Sequence, residues 1–467
     1  MHLSMLLDMA VDGFGDRVVV GPRAGGLTPT QLQRLARGGA RLAADADAIV
    51  YLAVSGPAFP VALFAAAYAG VPLVPINYRL GAQQLADLLG RHPRALVIAD
   101  DTSEKFLVHA ASADPVDAPA DTDAPAVVIY TSGTTSAPKG VLLRHANLVS
   151  YVFGTVEFAA ADADEAALMS VPPYHIAGVS NVLSNLFAGR RVVSLPAFEP
   201  VEWLATVRAE GVTNAMVVPT MLARIMAVHG DRCVPSLRTL AYGGAAMPPR
   251  VIEAALRQWP HVGFVNAYGL TETSSTVSVL GPDDHRAALS SDDPEVRARL
   301  HSAGRPVPGV EVEIRHGRIW IRGEQVSGEY AGAGPAVDAR GFFDTRDSGR
   351  LDDAGFLFVT GRVDDTIIRG GENIAPAEIE DVLLRHPDVV DAAVVGVPDE
   401  EWGQRLEAVV VCTPGPTPDP EDLRAHVRAA LRSSKTPDRI VFRAQLPRTP
   451  TGKLLRRDVV SDLVTAH

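Results

Sequence analysis

Short apolar runs recur through the first three-quarters of the chain, separated by stretches whose apolar positions follow a helical repeat. The runs at 48–54, 95–99, 126–130, 167–171, 215–218, 239–242 and 263–266 read as buried strands. Between them, 60–69, 179–187, 201–210 and 249–258 carry helical spacing. Such alternation predicts mainly parallel α/β sheets with helices on both faces, and sites in loops at the carboxyl ends of strands. Residues 131–139 and 268–272 each follow one of these strands.

The pattern changes twice further on. Short strands at 310–314 and 318–321 predict a small β subdomain around 304–330. Beyond Asp364 come a helix over 377–385, strands at 391–397 and 407–412, and a helix over 421–431, which together suit a compact α+β module. The expected fold is therefore a large N-terminal α/β domain with a β subdomain, residues 1–363, and a smaller α+β C-terminal domain, residues 364–467. An acidic, proline-rich connector at 112–125 marks a further subdomain junction.

Composition narrows the classes. The 467 residues exceed one ordinary core, and 47% hydrophobic with 21% charged residues is globular composition, not disorder. A net charge of −12 argues against a nucleic-acid partner, which needs a basic face. Cys233 and Cys412 lack metal-ligand spacing and suit a reduced, cytoplasmic setting. The start of the chain lacks a basic leader, and the most apolar stretch, 61–76, is interrupted by Gly70 and Pro72, so no transmembrane segment is expected.

Chemistry concentrates in Tyr130-Thr131-Ser132-Gly133-Thr134-Thr135-Ser136-Ala137-Pro138-Lys139-Gly140. A strand opening into hydroxyls and glycines presents N–H and O–H groups to an anion, and Lys139 adds a point charge. A polyphosphate cradle and an ordinary polar turn both fit this run. It is not a Walker A loop, because no Gly-Lys-Ser/Thr occurs. Further motifs follow in order: Pro172-Pro173-Tyr174-His175, Tyr242-Gly243-Gly244-Ala245-Ala246, Asn266-Ala267-Tyr268-Gly269-Leu270-Thr271-Glu272 and Thr345-Arg346-Asp347. Gly361-Arg362-Val363-Asp364-Asp365, Gly370-Gly371-Glu372-Asn373 and Pro450-Thr451-Gly452-Lys453 complete the set.

This order, spanning nearly the whole chain, resembles the adenylate-forming superfamily, and within it the acyl-CoA synthetase branch. The resemblance implies an ATP-dependent acid–thiol ligase that forms acyl-AMP, then acyl-CoA, AMP and pyrophosphate. An acyl carrier protein is the alternative acceptor. It implies that Thr131, Ser132, Gly133, Thr134, Thr135 and Lys139 hold phosphates. Thr271 would touch the α-phosphate, and Glu272 with Thr131 would hold Mg²⁺. Gly244, Ala245, Ala246, Asn266, Ala267, Tyr268 and Gly269 would surround adenine, while Asp347 and Arg362 would hold ribose.

Lys453, with Thr271 and Glu272, would be catalytic, bridging the substrate carboxylate and the α-phosphate. His175, Ala177, Asn181, Gly243, Thr276 and Val277 would shape the acyl pocket, with Arg224 a possible partner for a second carboxylate. Gly370 and Gly371 would line the CoA channel, and Asp364 would be the hinge on which the C-terminal domain turns. Two positions depart from the family pattern: Ser136 and Arg346 stand where glycine is usual.

Overall fold

The computed structural model describes the chain except residues 118–124, 132–137, 414, 416, 432, 450, 451, 466 and 467. Ser132, Gly133, Thr134, Thr135 and Ser136 of the proposed cradle therefore lie outside the described residues, as do Pro450, Thr451 and part of the acidic connector.

Two seven-stranded sheets form the body of the large domain. In the first, Ile49–Leu52 pairs in parallel with Leu73–Pro75 and Leu96–Ala99, and Pro125–Thr131 joins Leu73–Pro75 in parallel. In the second, Arg191–Ser194, Ala166–Met169, Asn214–Val217, Thr239–Gly243 and Gly263–Leu270 are parallel neighbours. Antiparallel strands extend both sheets: Lys139–Arg144 the first and Ser275–Leu280 the second. The helix Ala58–Ala69 is apolar on every side and almost wholly buried, as such a helix must be. Gly70, at φ 69°, ends it in the left-handed conformation.

Residues 311–362 form a four-stranded antiparallel sheet, the β subdomain expected from the short strands there. The C-terminal part carries a three-stranded sheet of Val389–Asp399, Gly403–Cys412 and Arg439–Phe442. Alternation assigns its two faces. Val394, Leu406, Ala408 and Val410 pack on helices Pro376–Leu383 and Pro420–Ala430, while Ala393, Val395 and Val409 pack on Arg456–Thr465. Arg456 ties that last helix to the module. It donates to both oxygens of Glu380 at 2.5 and 2.9 Å, to the Val394 carbonyl at 2.7 Å, and to Asp365 at 3.2 Å.

Several differences from the sequence expectation bear on the site. The helix expected over 179–187 begins earlier, at Ile176, directly after His175. The strand expected to stop at 266 continues to Leu270, so Tyr268 lies in a strand and not in a loop. Thr131 and Lys139 are opposed residues of two antiparallel strands, Pro125–Thr131 and Lys139–Arg144. The strands Leu73–Pro75, Arg191–Ser194 and Ser275–Leu280 were not anticipated. The first two are short, and the third reads Ser-Thr-Val-Ser-Val-Leu with mostly small residues.

Two buried imidazoles give the fold an acid limit. His145 is 2% exposed and His285 is wholly buried, and burial pushes their pKa values down to about 3 and about 4. Both stay neutral in the folded chain at pH 5, whereas an unfolded histidine titrates near 6.5. The unfolded state therefore takes up more protons as pH falls below about 6.5, and stability decreases there; above it the contribution is complete. Between pH 7 and 5 each group should remove about 2 kcal/mol. Urea titrations across this range should show the loss, and His285→Asn should reduce it by about 2 kcal/mol. An unchanged slope in that variant would exclude His285 as a source.

Candidate active site

The carboxyl ends of the second sheet meet the hairpin of the first sheet and the C-terminal loop. Strand Gly263–Leu270 leads into a short 3₁₀ turn, Thr271–Thr273, which carries Thr271 and Glu272. Gly269 is required where this strand reverses into Ser275–Leu280: a Cβ there would stand 1.6 Å from the Ser275 carbonyl oxygen. The Glu272 carboxylate accepts a 2.9 Å bond from the Tyr330 hydroxyl. Lys139 Nζ lies 5.8 Å from the centre of the same tyrosine ring. Tyr330 therefore joins the hairpin lysine to the turn carboxylate. The sequence reading misses it, because Glu329–Tyr330 is a two-residue strand with no local signature.

Tyr268 and Asp347 form the second part of the cleft. The Tyr268 hydroxyl donates to Asp347 Oδ2 at 2.7 Å, and Arg362 Nε stands 3.5 Å from Oδ1. Burial pushes the Asp347 pKa up and outweighs the opposing charge of Arg362. The same burial, with Asp347 beside it, holds the Tyr268 phenol protonated as a donor. Asn266 donates its amide N–H to the Ser302 carbonyl at 2.9 Å, so that donor is committed within the protein. Gly244, at φ 82°, turns the chain away after Thr239–Gly243, and Gly244 and Ala246 are exposed, with Ala245 half-buried.

The C-terminal loop enters from the other side. Gly452, at φ 80°, packs so closely on helix Pro219–Met226 that a Cβ would lie 2.5 Å from Thr220 Oγ1. Arg448 and Thr449 brace the turn through the Gly452 carbonyl and the Lys453 N–H. Lys453 stands open to solvent at the mouth of the cleft. Desolvation and, next, Arg362 lower its pKa, against the opposing pull of Asp365, Asp347 and Glu272. Burial, with Lys453 adding to it, pushes His175 down to about 4, so its imidazole is neutral at physiological pH. One lysine from the C-terminal part thus shares a field with residues beside the second sheet and in the β subdomain.

A cavity of about 410 Å³ runs beneath this cleft, between the second sheet and helix Ile176–Ala188. Asn181, Thr276 and Ala267 line it. The other expected pocket residues do not. His175 caps the helix above the cavity, and Ala177 packs partly buried on the main core. Gly243 sits where a Cβ would come 2.2 Å from the Ala267 carbonyl oxygen. Val277 points to the opposite face and packs with Ile319, Ile321 and Leu357. Strand alternation is the reason: a residue next to Thr276 cannot share its face. Arg224 stacks on Phe198, its guanidinium 5.1 Å from the ring centre, and does not line the cavity.

Gly370 and Gly371, at φ 55° and 83°, form the two-residue turn between Ile367–Arg369 and Glu372–Ile374. Trp402 covers this turn, and its carbonyl accepts from the Gly370 N–H at 2.8 Å. Asp364 lies in the turn after strand Leu357–Arg362, 3.5 Å from Arg346.

Among the described residues, no three His, Cys, Asp or Glu side chains gather as a metal site, and no helix is long and apolar enough to cross a membrane. A single carboxylate with a hydroxyl neighbour suits a divalent ion that arrives already bound to phosphates, as Mg²⁺ commonly does.

Parallel α/β sheets, an antiparallel subdomain and a C-terminal module whose loop enters the cleft define a multidomain α/β enzyme architecture. The sequence model of the AMP-binding enzyme family matches residues 28–331, and that of the AMP-binding enzyme C-terminal domain matches 378–453. The chain belongs to the AMP-binding enzyme family.

Among its relatives, a fatty acid–[acyl-carrier-protein] ligase of Streptomyces coeruleorubidus is 33% identical over 463 residues, 89% of this chain and 86% of that protein. A feruloyl-CoA synthase of an Amycolatopsis species is 35% identical over 439 residues, 88% of each chain. An O-succinylbenzoate coenzyme A synthetase from Bacillus subtilis, solved with ATP and magnesium ion, superposes with a TM-score of 0.83. It is 28% identical, and the match covers 98% of this chain and 99% of that one.

Arg346 has a measurable cost. Its φ of 61° is left-handed, which costs a non-glycine residue about 1 kcal/mol or more. Its exposed ion pair with Asp364 returns about 0–1 kcal/mol. Alanine would keep the strain and lose the pair. Denaturant unfolding should therefore place Arg346→Gly about 1 kcal/mol above Arg346→Ala; equal stabilities would mean the backbone here is not strained.

Proposed function

We propose that this chain is an ATP-dependent acid–thiol ligase. The observation that carries the reading is the convergence of Lys453, from the C-terminal loop, on Glu272, Asp347 and Arg362 of the large domain. A carboxylate oxygen attacks the α-phosphorus of ATP, the bond to pyrophosphate breaks, and acyl-AMP forms. Two anions must meet, so a cation placed between them stabilises the developing charge. Lys453 is assigned as that cation.

Thr131 and Lys139, with Ser132, Gly133, Thr134 and Thr135 between them, are assigned to the β- and γ-phosphates, and Thr271 to the α-phosphate. Glu272 and Thr131 would hold Mg²⁺, which supplies charge neutralisation on the phosphates. Asp347 accepts from the ribose hydroxyls, with Tyr268 fixing its orientation and Arg362 beside it. Tyr268, Gly244, Ala245 and Ala246 flank adenine. One Asn266 amide N–H is committed to Ser302, which leaves the second N–H and the carbonyl oxygen for the adenine edge.

In the second half-reaction the CoA sulfur attacks the acyl carbonyl, AMP leaves, and a thioester remains. The small domain, residues 364–467, is assigned the switch between the two steps. Asp364 is its hinge, and the Gly370–Gly371 turn forms the thiol approach after rotation. The free cysteines Cys233 and Cys412 suit a reducing cytoplasm. Transfer to a carrier protein is the second reading, favoured by the name of the Streptomyces relative.

Purified enzyme with ATP, Mg²⁺, CoA and a panel of acids should yield AMP, pyrophosphate and acyl-CoA. Pyrophosphate without acyl-CoA would transfer the assignment to a carrier protein. Lys453→Ala should slow single-turnover adenylation by about 10²–10³-fold, the scale of losing one charge-stabilising group. It should spare thioester formation from preformed acyl-AMP. Intact adenylation in this variant would remove Lys453 from the proposed role.

A further inference from the structure

The cavity beneath the cleft has a lining unlike an ordinary apolar acyl tunnel. None of the residues that line it carries a charge, yet Ser180, Asn181, Ser184, Asn185, Asn214 and Thr276 all contribute. The sheet is asymmetric around it. Thr239, Ala241, Val265 and Ala267 face the cavity, whereas Leu240, Tyr242 and Phe264 fill the opposite face against the core. Small residues on one face open the volume, and the polar groups come mainly from the helix opposite.

Some of these polar groups are already satisfied. Ser180 Oγ lies 3.2 Å from Ser275 Oγ, Asn185 donates to the Asn181 carbonyl at 2.8 Å, and Asn214 Oδ1 accepts from Thr213 at 2.8 Å. Two are not. Asn181 Oδ1 and Ser184 Oγ are buried atoms with no hydrogen-bond partner among the described residues. They stand three residues apart on helix Ile176–Ala188, so they project from one face. Buried polar groups of this kind bind water or a ligand, and an apolar ligand that displaced the water would leave them unpaired.

We infer that the cavity selects an uncharged acyl group bearing a hydroxyl or similar hydrogen-bonding substituent, which Asn181 and Ser184 engage. This rests on the adenylating reading above, which fixes the carboxyl end of the acid beside His175 and Lys453. His175 caps the helix, and a rise of 1.5 Å per residue sets Asn181 about 9 Å and Ser184 about 14 Å further along its axis. The substituent therefore belongs at that range from the carboxyl group. A second carboxylate is disfavoured, because no cation lines the cavity to pair it. A plain alkyl or aryl acid is disfavoured because it strands both polar atoms.

Calorimetry on the full chain with AMP present tests this with two acid series. One is cinnamate, 4-hydroxycinnamate and 4-carboxycinnamate; the other is decanoate, 10-hydroxydecanoate and decanedioate. The hydroxylated acid should bind about tenfold tighter than its parent in at least one series, with the diacid weakest in both. Asn181→Ala and Ser184→Ala should bring that ratio toward one. Parents that bind as well as hydroxylated acids in both series, a tightly bound diacid, or a ratio that survives both substitutions would overturn the inference. Pyrophosphate release with the same acids reports on the reaction separately. Selective binding without release would reject the ligase reading and leave the pocket assignment standing.

Discussion

The site depends on holding one ammonium group among carboxylates contributed by distant parts of the chain. Lys453 is carried on a turn that Gly452 fits against Thr220, and its charge is balanced by Asp347, Glu272 and Asp365 against Arg362. A lysine at this position in isolation would be one more solvated surface cation. Its setting makes the difference: partial desolvation strengthens every charge interaction around it. The close Gly452–Thr220 contact links the C-terminal module to the large domain where the chemistry is proposed, and Arg448 braces the same turn from within the module.

The remaining polar groups serve the same end at one remove. Tyr268 and Tyr330 each donate to a carboxylate of the cleft, Asp347 and Glu272 respectively. Each leaves the other carboxylate oxygen free of that bond, so the acid is oriented without being used up. Arg456 acts similarly inside the C-terminal module, joining the last helix to Glu380 and to Asp365 beside the proposed hinge. A rotation of the module about Asp364 would have to break the Arg346–Asp364 pair, which is exposed and weak. The buried Arg456 cluster could travel intact. The Arg456 cluster thus lies within the unit proposed to turn, whereas Arg346–Asp364 and the Arg250 bonds to the Pro387 and Val389 carbonyls cross its boundary.

How much of this could be read from the chain follows from range. Apolar runs located most central strands, because a strand buried on both faces needs continuous apolar residues wherever it sits. The motif order located Glu272, Asp347, Arg362 and Lys453. The two-residue strand Glu329–Tyr330 and the small-residue strand Ser275–Leu280 are invisible in sequence, since pairing with a distant partner forms them. The same holds for Tyr330, whose importance comes from its bond to a residue 58 positions away. Val277 was misplaced for a simpler reason: neighbouring motif residues were assigned to one pocket, while a strand sends neighbours to opposite faces.

The cavity shows why the class of reaction and the choice of acid sit at different levels of the chain. Activating a carboxylate requires charged groups at defined positions, and such groups mark themselves in sequence because few other roles want them together. Choosing the acid requires only a volume and a few neutral donors and acceptors. Serine, asparagine and alanine occur everywhere and acquire meaning from the face they occupy. Asn181 and Ser184 become informative only when helix Ile176–Ala188 turns both toward the gap left by Ala241 and Ala267. A substitution at either site could redirect the acid while leaving every charged group of the adenylating centre in place.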